Sequence, residues 1–137
     1  MAEFDLKRFA DAQKRSYETA REEIRRGRKR SHWMWYIFPQ IRGLGRSSVS
    51  QYYGIQDRAE AIAYWNDPLL SERLVEISRE LLKLEGSAEQ ILGFPDNLKM
   101  RSSMTLFWLV TGEPVFKAVL DRFYEGKPDP ATQRKLM

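Results

Sequence analysis

The chain has 137 residues, the length of one domain, with 42% apolar residues to build a core and 31% charged residues to solvate it. It contains no cysteine and one histidine, which excludes disulfides, thiolate zinc sites and a cysteine nucleophile and leaves too few ligands for a conventional zinc centre. The net charge of +4 is local, because ten Lys/Arg and six Asp/Glu fall within residues 1–30 and the rest of the chain is balanced.

Met1-Ala2-Glu3-Phe4-Asp5 lacks the basic-then-apolar layout of a secretory signal. The longest apolar stretches, Trp33 to Phe38 and Met104 to Val110, are too short to span a bilayer. A soluble, cytoplasmic protein without membrane contact is therefore expected. Phe9, Ala12, Tyr17, Ala20 and Ile24 share one helical face between about Asp5 and Arg26, and Gly27 is placed to end that helix. The basic run Arg25 to Arg30 follows, where cations are favoured by exposed carbonyls and where nucleic acid offers a second reading.

Ser31 to Gln40 reads as a short buried helix, capped by Ser31 and stopped by Pro39. Arg42 to Ser50 reads as a loop that turns into Gln51 to Ile55. Asp57 and Glu60 have capping-box spacing and open a helix to about Asn66. Asp67-Pro68 then starts one marked by Leu69, Leu70, Leu74, Ile77, Leu81 and Leu84. A short helix follows Gly86-Ser87, another runs from about Asn97 to Val110, and the last spans Pro114 to Tyr124. The expected fold is all-α, a single compact orthogonal helical domain of about six helices over 1–126, with 127–137 as a mobile tail.

The familiar catalytic motifs are absent. The glycine loop lacks P-loop spacing, position 48 is serine where the dinucleotide fingerprint needs glycine, and no Gly-x-Ser-x-Gly elbow or acid pair stands out. Two segments remain unusual. In the first, His32 to Tyr53, Gly43 and Gly45 allow close backbone approach, Ser47, Ser48 and Ser50 offer hydroxyls, and Arg42 and Arg46 add charge suited to phosphate or carboxylate. In the second, a helix opens with Lys99 and Arg101, cations that oppose its dipole unless an anion is bound there. The alternative is that Asp96 caps this helix and pairs with Lys99 or Arg101.

Lys29-Arg30-Ser31-His32-Trp33-Met34-Trp35, Phe38-Pro39-Gln40, Gly43-Leu44-Gly45-x-Ser47, Ser50-x-x-Tyr53 and Leu98 to Phe107 together resemble domain of unknown function family 1810. This is a bacterial and fungal family whose members often carry the label calpastatin. The resemblance spans roughly Phe4 to Gly126. It implies a compact, mainly helical domain and no established activity, substrate or cofactor. The label carries little weight, since true calpastatins are long disordered inhibitors.

The leading expectation is a pocket for a small anionic ligand, a nucleotide or phosphorylated metabolite, where the Gly/Ser loop meets the Asp96 helix. Lys99 and Arg101 would bind charge; Ser47, Ser50 and Ser102 would donate hydrogen bonds; Gly45 would let backbone amides approach the ligand; and Trp33 or Trp35 would stack on a base. His32 is the candidate for proton transfer in a hydrolase or transferase, with Gln40 or Tyr53 orienting ligand or water. No cofactor is implied. A protein-interaction module without catalysis is the second reading, and a nucleic-acid binder through residues 25–30 the third.

Overall fold

The computed structural model describes residues 4–137; Met1–Glu3, part of the segment searched for a signal, lie outside them. The apolar face read from the sequence builds α1 (Lys7–Arg25), which buries Phe9, Ala12, Tyr17, Ala20 and Ile24. Then come α2 (Met34–Ile37), α3 (Ser48–Tyr53), α4 (Arg58–Asn66), α5 (Pro68–Leu82), α6 (Ala88–Leu92), α7 (Asp96–Thr111), α8 (Pro114–Tyr124) and α9 (Pro130–Leu136). The protein is all-α, with nine helices among the described residues rather than about six. None of these helices is long and apolar enough to cross a membrane.

The excess over six comes from short pieces, and each depends on tertiary support. Ser47 caps α3 by accepting from the Ser50 amide at 3.1 Å, so part of the expected loop is helical. The expected tail, 127–137, is not free of the domain. It carries α9, capped by Asp129, started by Pro130 and packed on α7 with Thr132 fully buried. α2 lacks the expected Ser31 cap; Trp33 stands at its N-cap position, and Ser31 Oγ donates to Glu23. At α4 half of the capping box forms. Asp57 accepts from the Glu60 amide at 3.0 Å, whereas the Glu60 carboxylate takes the Gln56 amide, one residue earlier than a box would.

α7 is the central element, touching α2, α4, α6, α8 and α9, while α1 lies on α5 and α5 on α8. Met100, Met104, Leu106 and Phe107 of α7 are fully buried. The Phe107 ring lies 5.2 Å from Tyr64 and 6.0 Å from Phe116, and Tyr64 meets Phe9 edge-on at 5.2 Å.

Two polar centres fix how the N-terminal third meets this core. Arg8, buried on α1, donates to both oxygens of Glu60 at 3.0 and 3.3 Å and to the carbonyls of Asp5, Tyr52 and Gly54. Glu23, also on α1, accepts from the Arg30 and Ser31 amides at 2.7 and 2.9 Å, from Ser31 Oγ at 2.6 Å and from the Trp33 indole at 3.0 Å. Burial works to raise the pKa of Glu23, but these four donors outweigh it and pull it down to about 2.

Glu60→Gln leaves the Arg8 guanidinium without its carboxylate in a buried site, and a loss of about 3–5 kcal/mol is expected in urea unfolding. A loss below about 1 kcal/mol would show that the pair is not what holds α1 to α4. For Glu23 the folded pKa lies below the ordinary glutamate value. Its contribution is therefore complete above that value and is lost as pH falls through it towards 2. Glu23→Gln is expected to cost about 2–3 kcal/mol near neutral pH, and the gap to the unaltered protein should narrow on acidification. A gap independent of pH would refute this role.

Candidate functional site

Between the Gly/Ser loop and the start of α7 lies a cavity of about 260 Å³. One side is formed by the segment from α2 to Gly54, which folds back on itself through a parallel bridge between Ile41 and Ile55. The Arg42 amide donates to the Ile55 carbonyl at 2.7 Å and the Ile55 amide to the Gln40 carbonyl at 2.8 Å. Gly54 is required for this closure, because a Cβ there would stand 2.8 Å from the Arg42 Cα. Trp35, Gln40, Leu44, Gly45, Ser50 and Tyr53 line this side. Pro95, Leu98, Lys99 and Ser102 supply the α7 side, and Asp129 and Ala131 at the start of α9 supply a third wall.

Seven of the residues singled out in the sequence thus share one cavity: Trp35, Gln40, Gly45, Ser50, Tyr53, Lys99 and Ser102. The Gln40 amide and the Tyr53 hydroxyl have no hydrogen-bond partner among the described residues, and burial pushes the Tyr53 hydroxyl pKa up. Lys99 Nζ lies 4.7 Å from the Trp35 ring centroid and 2.9 Å from Asp96 Oδ1. The other oxygen of Asp96 holds Lys29 at 2.8 Å, and Lys29 in turn lies 5.1 Å from the Trp33 ring. Burial raises the Asp96 pKa, but hydrogen bonds from the two lysines outweigh it and hold the carboxyl below its usual range.

The other four stand elsewhere. His32 is exposed and outside the lining. Trp33 is buried, with its indole committed to Glu23. Ser47 is the exposed cap of α3. Arg101 donates to the carbonyls of Lys127 and Pro128, both at 2.9 Å, so its guanidinium fastens the C-terminal segment. Three amides at the start of α7 are also taken. The Asn97 amide is taken by the Gly93 carbonyl, and those of Leu98 and Lys99 by the Pro95 carbonyl. Asp96 pairs with Lys99 as the alternative reading had it, but does not cap the helix.

Among the cavity's polar side chains, Asp129 is the one that the sequence reading missed. It lay in the segment expected as a tail, although Asp129-Pro130 repeats the helix-start signature of Asp67-Pro68. Its Oδ2 accepts from Ser102 Oγ at 3.1 Å, from the Thr132 amide at 3.1 Å and from Thr132 Oγ1 at 2.6 Å. Its own amide donates to Thr105 Oγ1 at 2.8 Å.

The chain belongs to the family described as Protein of unknown function (DUF1810), whose model matches residues 3–136. None of the curated proteins compared with it matches. The chain is similar to the conserved hypothetical protein Rv1873 from Mycobacterium tuberculosis, known from a crystal structure. Identity is 47%, the likeness covers 98% of each chain, and the TM-score is 0.96.

Proposed function

We propose, for this member of a family of unknown function, that the cavity binds a small ring-bearing anionic ligand, a nucleotide or phosphorylated metabolite. The observation that carries the reading is the cavity's composition. Trp35, Leu44, Tyr53 and Leu98 give mostly apolar walls, and a few polar groups, Gln40, Lys99 and Asp129, converge between them. A ligand would satisfy the Gln40 amide and the Tyr53 hydroxyl, which the protein leaves without partners among the described residues. Lys99 is the attachment for the anionic group, and the exposed Arg42 and Arg46 of the adjoining loop add to the positive field. A volume of about 260 Å³ suits a mononucleotide-sized ligand rather than a dinucleotide.

Binding, and not catalysis, is what this geometry supports, since His32 stands outside the lining. A protein-interaction surface is the second reading, favoured by Phe94 and Leu98, which are 71% and 47% exposed at the α7 side of the cavity. The nucleic-acid reading is weaker. Trp33, Met34, Ile37 and Phe38 are buried, and Arg25, Arg26 and Lys29 are engaged with Glu80, Glu22 and Asp96.

Thermal unfolding against nucleotides and sugar phosphates tests the proposal. A compound at about one hundred times its Kd should add about 2.7 kcal/mol, a rise of several degrees. The rise should vanish in Lys99→Ala and shrink in Gln40→Ala, whose side chain bonds nothing within the described residues. No rise with any compound overturns the proposal in favour of the interaction surface.

A further inference from the structure

We infer that Asp129 selects the ligand of this cavity by accepting the vicinal hydroxyls of a ribose, which narrows the proposed ligand to a ribonucleotide and rests on that proposal. Asp129 lines the cavity, and all three side-chain hydrogen bonds it accepts fall on Oδ2. Its Oδ1 has no hydrogen-bond partner among the described residues. The residue is also held from the backbone side by Thr105, so the carboxylate is fixed in place before any ligand arrives.

The state of the two oxygens indicates what the free one accepts. Three donors on Oδ2 already satisfy that oxygen, which leaves Oδ1 as the acceptor open to a ligand. The carboxylate's charge repels a phosphate, which directs the anionic end of a ligand to Lys99 and away from α9. The ligand would therefore present neutral hydroxyl donors to Asp129 and an anion to Lys99, with an aromatic ring against Trp35 or Tyr53 of the lining. A ribonucleotide carries all three, and a carboxylate accepting ribose hydroxyls is a recurrent device for nucleotide recognition. A sugar phosphate lacks the aromatic ring, and a free nucleobase lacks the anionic group and the vicinal hydroxyls.

The test is calorimetric titration of the full chain with adenosine, guanosine, cytidine and uridine monophosphates and with their 2′,3′-dideoxy counterparts. At least one ribonucleotide is expected to bind, and its dideoxy form about tenfold or more weakly. Asp129→Asn keeps an oxygen for the Thr132 cap; it should weaken the ribonucleotide by a similar factor and leave the dideoxy form unaffected. If that variant fails to fold, as read by circular dichroism, the paired comparison on the unaltered chain decides. Equal affinity for the two forms overturns the role of Asp129 while the cavity remains a ligand site. Absence of binding by every nucleotide overturns the inference together with the ligand reading beneath it.

Discussion

The buried pair of Arg8 and Glu60 is the constraint on which the arrangement around the cavity depends. Both side chains are almost wholly withdrawn from water, at 5% and 3% exposure, and such a withdrawal is tolerated only when charge and hydrogen bonds are matched together. They are matched here, and the way they are matched is specific. The guanidinium reaches past Glu60 to the carbonyls of Tyr52 and Gly54, the end of α3 and the residue after it. Glu60 reaches back to the Gln56 amide. One ion pair therefore ties α1, the exit of α3 and the start of α4 into a single corner. Gly54 and Tyr53, which line the cavity, stand at that corner.

The same logic recurs at two other places and explains the polar residues that draw attention in the sequence. Glu23 gathers Arg30, Ser31 and Trp33 onto α1, and so fixes the entry to α2 and the position of Trp35 two residues beyond Trp33. On α7, Arg101, Ser102 and Thr105 form one face, and all three bond the chain between Lys127 and Asp129. Much of the Ser/Arg/Trp content that suggests chemistry is thus spent on joining segments far apart in sequence. What these joints leave unengaged at the cavity is a smaller set, the Gln40 amide, the Tyr53 hydroxyl and one oxygen of Asp129, among the described residues.

This division also explains what was legible in the sequence. Helices with a full apolar face or a strong cap, α1, α5 and α8, follow from periodicity and from signals such as Asp67-Pro68 and Gly27. α3 has no buried residue, and α9 buries only Thr132, so neither shows an apolar pattern; both persist through caps and tertiary hydrogen bonds. At the site, the meeting of the Gly/Ser loop with α7 was readable because each segment is locally unusual. The direction of individual side chains was not. Arg101 and Lys99 are two residues apart on one helix and therefore face different ways, Lys99 to the cavity and Arg101 to the carbonyls of the C-terminal segment. Trp33 and Trp35 divide in the same manner, one buried on Glu23 and one in the cavity wall.

The cavity's electrostatics follow from this sorting. Had Arg101 and the amide end of α7 faced inward beside Lys99, the site would be strongly positive and would hold any small anion. With Arg101 committed to backbone carbonyls and Lys99 shared with Asp96, the cavity lining carries one lysine and, from the start of α9, the Asp129 carboxylate, so charges of both signs meet there. Because Asp129 belongs to the segment fastened by Arg101, Ser102 and Thr105, the shape of the cavity depends on contacts outside it as well as on its lining. The fastening of the C-terminal helix is thus part of the construction of the site.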